Sequence, residues 1–134
     1  IVARGYDNYK NRADLIASFG RELTRRSGSS CELCGASGVS LSVFEVPPVK
    51  EEPESSDCVF ICAECREQLE NPKKFSNTRW RCLTDRVWSE TGAVKILSVM
   101  ILKKVSLTES WASDIIENVY LTDEENERIE RSGM

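Results

Sequence analysis

Apolar residues recur along the chain with two different periods, and the switches between them mark out the elements. Across residues 8–27, Tyr9, Ile16, Phe19 and Leu23 fall at helical spacing with Ala13 and Leu15 beside them, which predicts one amphipathic helix. Gly28, Ser29 and Ser30 end it. Residues 39–46 and 58–61 combine alternation with β-branched and aromatic content, as the strands of a β-hairpin would. Between them Pro47, Pro48, Pro53 and a Glu/Ser cluster offer nothing to bury, so an exposed, mobile acidic tip is expected. Residues 66–70 are good helix formers and stop at Asn71-Pro72. The next stretch holds Phe75, Trp80, Cys82, Leu83, Val87 and Trp88 without a clear period, and is expected to pack over the preceding module. Residues 93–105 are apolar on nearly every side, which predicts a core helix buried from several directions. Two further helices are predicted over 110–120 and, behind the capping-box pattern Thr122-Asp-Glu-Glu125, over Asp123–Arg131.

Cysteine spacing supplies the strongest chemical signal. Cys31-x-x-Cys34 and Cys62-x-x-Cys65 are two pairs of identical internal spacing, separated by an insert of hairpin length. A two-residue gap lets both thiolates of a pair converge on one tetrahedral ion, with about 2.3 Å from metal to sulfur. Gly35 after the first pair suits the tight turn whose amides point at the sulfurs. One structural zinc held by Cys31, Cys34, Cys62 and Cys65 is therefore the favoured reading. A rubredoxin-type iron centre would use the same ligands, and disulfides or a redox-active Cys-x-x-Cys are the other chemistries open to these residues. Cys58 and Cys82 read as buried free thiols, with Cys82 an alternative ligand.

Four cysteinates leave no open coordination position, so such a metal ties the first helix and hairpin to the second knuckle and adds folding free energy to a small core. The expected fold class is α+β: a zinc-ribbon or treble-clef-like module with a β-hairpin, packed with several α-helices. The 134 residues fit one domain, with 8–27 the amphipathic helix, 28–70 the four-cysteine zinc module, and 71–134 the Trp-containing segment and carboxyl-terminal helices.

The net charge of -4 argues against an undirected attraction to nucleic acid. Its distribution is uneven: residues 1–30 and 66–86 are net basic, while 109–134 is acidic. Such runs are usually solvated helix faces, and otherwise a basic face that docks an acidic partner. The apolar run 93–105 carries Lys95, Lys103 and Lys104 and is too short to span a bilayer. An intracellular, soluble protein is expected, cytoplasmic or, if Ile1 is a processed start, inside an organelle.

Particular runs resemble a known family. Arg21-Glu-Leu-Thr-Arg-Arg-Ser-Gly-Ser-Ser-Cys-Glu-Leu-Cys-Gly35, the second cysteine pair, Arg79-Trp-Arg-Cys-Leu83, Val87-Trp-Ser-Glu90, Ala93-Val94, and Trp111 followed by Val119-Tyr-Leu-Thr-Asp123 resemble the amino-terminal zinc-ribbon region of the PhnA-like proteins of bacteria. The likeness covers roughly residues 20–125. It implies a zinc-ribbon fold and a bound metal, and it implies no reaction. Where that pattern has a histidine before the tryptophan, this chain has Thr78-Arg79-Trp80.

Three classes of function compete. A non-catalytic scaffold or protein-interaction module, as a subunit of a larger assembly, is favoured; its candidate contacts are Trp88 and Trp111, since tryptophan is enriched at interface hot spots as well as in cores. Nucleic-acid binding is the second, with Arg25, Arg26, Arg79 and Arg81 placed to meet phosphates alongside Arg21, Lys73 and Lys74. Hydrolysis is the third, and the chain contains no histidine to act as its general base. No small-molecule substrate is indicated by any motif.

Overall fold

The computed structural model describes residues 11–132. It is rich in helix, with one two-stranded antiparallel hairpin. The helix predicted over 8–27 is two helices among the described residues: 11–18 (α1) and Gly20–Ser27 (α2), with a turn at Phe19; residues 8–10, and Tyr9 with them, lie outside the described residues. At the break the Phe19 amide donates to Ile16 O, only three residues back, at 3.1 Å, and Ser18 Oγ donates to Leu15 O at 2.5 Å. A hydroxyl competing for a helical carbonyl and a glycine next to it are both poor helix propagators. α2 ends where the chain passes through the left-handed region at Gly28, φ 66°. There the Ser29 amide returns to Thr24 O at 3.0 Å, closing the helix in the usual glycine-dependent way.

Strands β1 (Leu41–Glu45) and β2 (Cys58–Cys62) pair with Leu41 opposite Cys62 and Glu45 opposite Cys58. β2 is buried at every position, because both faces of the hairpin are covered. Cys58 and Phe60 point to one side and pack with Leu23 of α2 and with Phe19. Val59 and Ile61 point to the other and join the main core. The uninterrupted apolar run Cys-Val-Phe-Ile-Cys is what a doubly covered strand requires.

α3 (Ala63–Glu70) follows β2 without a loop. Two 3₁₀ turns, Pro72–Lys74 and Asn77–Cys82, then lead into the short α4 (Leu83–Arg86). This irregular stretch does pack over the cysteine module: Trp80, Leu83 and Val87 are fully buried. α5 (Gly92–Val105) is the central element, with Leu97, Val99, Ile101, Leu102 and Val105 wholly inaccessible. It touches α4, α6 (Ser110–Asn118), α7 (Asp123–Arg131) and β2, which accounts for its apolar character all round. α6 stops before Val119, whose backbone is extended at φ -92°, ψ 123°. Tyr120, predicted to be helical, therefore lies outside it and is 77% exposed. α7 begins with the expected capping box: Glu125 N donates to Thr122 Oγ1 at 3.2 Å and Thr122 N to Glu125 Oε1 at 2.9 Å.

The acidic hairpin tip is held rather than free. Val46 and Asp57 are both buried. From α7, Arg128 donates to Asp57 Oδ1 at 2.6 Å and to Val46 O at 3.1 Å. Lys50 Nζ lies 2.9 Å from Asp57 Oδ2, and Arg12 of α1 donates to Lys50 O at 2.7 Å and Glu51 O at 2.8 Å. The expectation of a mobile tip with nothing to bury fails because basic side chains from both ends of the chain converge on it.

Burial opposes the charge on Asp57, yet hydrogen bonds from Arg128 and Lys50 outweigh it and hold the carboxyl below its usual value. A carboxyl depressed in the folded state contributes stability that is complete above its unfolded pKa, about 3.9, and is lost as pH falls through the folded value. Asp57→Asn is expected to be less stable than the parent at pH 7 and to lose that deficit as pH drops below about 4. Denaturant titrations of both proteins between neutral and acid pH check this, and a constant difference across the range would contradict it.

Candidate metal centre

Each cysteine pair is presented by a different local structure. The first sits in a tight loop closed by the Ser30–Ser37 bridge, where Cys31 N donates to Ala36 O at 2.9 Å and Gly35 N to Cys31 O at 2.9 Å. Gly35 lies at φ +79°, a conformation that side chains other than hydrogen rarely adopt. The second pair spans a strand-to-helix junction: Cys62 is the last residue of β2, and Cys65 lies in the first turn of α3. The hairpin register brings this junction beside the loop, with Glu32 N donating to Phe60 O at 2.8 Å.

The four Sγ atoms converge to within 4.8 Å of one another. Cys31 and Cys65 are 3.8 Å apart at sulfur, and Cys34 and Cys62 are 3.7 Å apart. A disulfide would need about 2.05 Å. Sulfurs at the corners of a tetrahedron, each about 2.3 Å from a central ion, stand about 3.75 Å apart. The cluster therefore fits a four-coordinate ion, and all six cysteines are free of disulfides. Cys31, Cys62 and Cys65 are buried, and Cys34 is half-buried.

Ionisation is shared unevenly between Cys31, Cys34 and Cys65. The hydrogen bond between Cys31 and Cys65 lets one sulfur carry charge: it holds Cys31 down at about 4 and drives Cys65 far above the usual thiol range. Burial pushes the Cys34 thiol up to about 11. A cation among the sulfurs removes that conflict, since metal binding displaces the thiol protons.

Two charged residues brace the cluster. Glu32, between the first two cysteines, is buried. Its carboxylate accepts from Phe60 N at 2.8 Å and from Arg26 Nε at 3.0 Å, and Arg26 Nη2 also donates to Cys58 O at 2.8 Å. Loop, strand and α2 are thereby joined through one ion pair. Arg79 donates through Nη2 to Cys65 Sγ at 3.4 Å and through Nη1 to Glu64 Oε2 at 3.2 Å. It is the one positive charge in direct contact with a cluster sulfur among the described residues.

Arg26 and Arg79, predicted to face a partner or phosphates, are thus turned inward by these bonds. Arg25 is exposed, while Arg81 stacks over Trp111, with 4.7 Å from its guanidinium carbon to the ring centroid. Trp111 is partly buried against the core, and Trp88 is 58% exposed. Cys58 lies across the hairpin against Leu23, donating to Glu54 O at 3.3 Å, and burial pushes its thiol up to about 11. Cys82 donates to Arg79 O at 3.5 Å and stands outside the group of four. The inward roles of Glu32 and Arg79 were not foreseen. The only prior signal for Glu32 was a carboxylate between two ligand cysteines, six residues from an arginine.

No protein-family model, no curated protein and no solved structure matches this chain.

A charge bonded directly to a ligating sulfur stabilises the anionic cluster, and losing such a contact weakens metal affinity by about 10- to 100-fold. Arg79→Ala is expected to show that loss in competition with a chromophoric chelator, whereas Arg25→Ala keeps the parent affinity. Equal affinity for all three proteins would remove Arg79 from the site.

Proposed function

We propose that the chain is a non-catalytic interaction module built around one structural zinc ion held by Cys31, Cys34, Cys62 and Cys65. The observation that carries this reading is the convergence of the four sulfurs to within 4.8 Å of one another, with Cys31 and Cys65 at 3.8 Å and Cys34 and Cys62 at 3.7 Å. Four thiolates on one zinc leave no position for a substrate. The ion's contribution is a crosslink between the first loop and the start of α3. The order of loop, hairpin and ligand-bearing helix start supports a zinc-ribbon or treble-clef-like arrangement, the zinc ribbon being the form that the PhnA-like motifs imply.

The interaction role rests on what the metal module holds in place. Trp80 and Trp88 belong to two of the runs that carry the PhnA-like resemblance. Trp80 fills the core. Trp88, eight residues on, stands 58% exposed beside Val87, Val119 and Tyr120, which together line a shallow cleft. A large aromatic left in water next to apolar neighbours is the usual chemistry of a protein-binding hot spot. Nucleic-acid binding is the less favoured reading, because Arg26 and Arg79 are occupied by Glu32, Glu64 and Cys65.

Protein purified anaerobically without chelator is expected to contain one zinc per chain by mass spectrometry. Stripping the ion should lower its melting temperature. Iron with visible charge-transfer absorption would make it a rubredoxin-like electron carrier instead, and metal-free protein with oxidised Cys31–Cys34 or Cys62–Cys65 pairs would overturn the proposal. Trp88→Ala is expected to keep the metal and to change stability by no more than about 0.5 kcal/mol, while losing partners that copurify with the parent. Retention of those partners at parental levels would reject Trp88 as the contact.

A further inference from the structure

A second cavity, of ≈ 140 Å³, lies behind the cysteine loop, where the end of α2, the end of α4 and the start of α5 meet. Its wall is almost wholly polar, and the hydrogen-bonding groups on it do not balance. Glu32, the only carboxylate lining it, already accepts three bonds, two from Arg26 and one from Phe60 N. Ser30 Oγ is committed as a donor to Ser27 O at 2.7 Å. Ser89 Oγ accepts from Thr91 N at 3.1 Å, so its own proton remains to be given. The Thr91 hydroxyl makes no capping bond, and it has no partner among the described residues. The Arg86 side chain likewise makes no ion pair or hydrogen bond among the described residues, its backbone carbonyl accepting from Ser89 N at 3.1 Å, although every N–H of its guanidinium is a donor. Among its side chains the cavity thus has more free donors than free acceptors, and Glu32, paired with Arg26, does not pair with Arg86.

The placement of Arg86 is itself a built feature. Its Nη2 would lie 2.9 Å from a Cβ placed on Gly35, so the guanidinium occupies the space that the absent side chain leaves over the cysteine loop. A half-buried guanidinium held against a glycine and left without a carboxylate invites an anion with several acceptor oxygens. Arg26, by contrast, adds donors but no net charge, being paired with Glu32.

We propose that this cavity binds a phosphate-class oxyanion, with Arg86 as the charged ligand and the hydroxyls of Ser89 and Thr91 as neutral donors. Free phosphate and a phosphoryl group carried on an ester offer the same acceptors. The site adjoins the metal centre through Gly35 and uses none of the four cysteines as a ligand.

Isothermal titration of the metal-loaded full chain with inorganic phosphate, replacing chloride at constant ionic strength, tests the site. Saturable binding near one phosphate per chain is expected. Arg86→Gln should weaken it by about tenfold or more, and Thr91→Val by about fivefold. Arg81→Gln, whose arginine lies over Trp111 and away from the cavity, should bind as the parent does. A parallel titration with phosphoserine separates the two sources: tighter binding than phosphate marks a modified partner side chain, and weaker binding marks the free ion. Absence of saturable heat up to about 20 mM phosphate in the parent overturns the proposal. So does unchanged affinity in an Arg86→Gln protein that retains its metal and circular dichroism. If that variant fails to fold, Thr91→Val decides, and parental affinity in it counts against the site.

Discussion

Four sulfurs gathered within 4.8 Å of one another form the constraint around which this molecule is organised. Thiolates at that separation in a poorly solvated pocket repel one another, and thiols there gain little from packing alone. The neighbouring structure is arranged to hold the sulfurs together all the same. Glu32 and Arg26 bind the first loop to β2 and α2, and Arg79 brings a positive charge onto Cys65. The cluster closes only when the hairpin register is correct, because Cys62 reaches it from the end of a strand whose opposite end is fixed by Glu45–Cys58 pairing.

The hairpin stands between two unequal apolar layers. On one side the cover is little more than Leu23 of α2 and Phe19 in the turn before it. On the other, α5 brings a surface apolar in every direction and gathers α4, α6 and α7 around itself. The four clustered cysteines belong to the thick side, packed with Trp80, Leu83 and Val87, while burial of the few side chains on the thin side supplies only a few kcal/mol, at about 1.5–3 kcal/mol for each fully buried large residue.

How much of this was legible in the sequence follows the range of the interaction concerned. The spacing within each cysteine pair, the Thr122–Glu125 capping box and the all-round apolar α5 are local patterns that the sequence displays directly, and the structure brings the two cysteine pairs together. The break at Phe19 was not readable, because hydrophobic spacing continues through it while the hydrogen bonding changes. Within the basic runs Arg26 and Arg79 depart from the expectation for a related reason: charge counting cannot tell a solvated arginine from one bonded to a sulfur or a buried carboxylate. The pairing of Asp57 with Arg128 joins residues 71 positions apart, beyond the reach of any periodicity.

That last contact bears on the order in which the protein is made. All four cysteines and both strands have been synthesised once residue 65 has left the ribosome, whereas α5 and the arginine that clamps the hairpin tip arrive only later. Segments fold as they emerge where their contacts are already present. The amino-terminal half of this chain emerges with its ligand set whole and its apolar cover missing. In the nascent chain an ion at the cysteines would do the work that α5 does in the finished one, keeping β2 paired until the helix arrives to bury it.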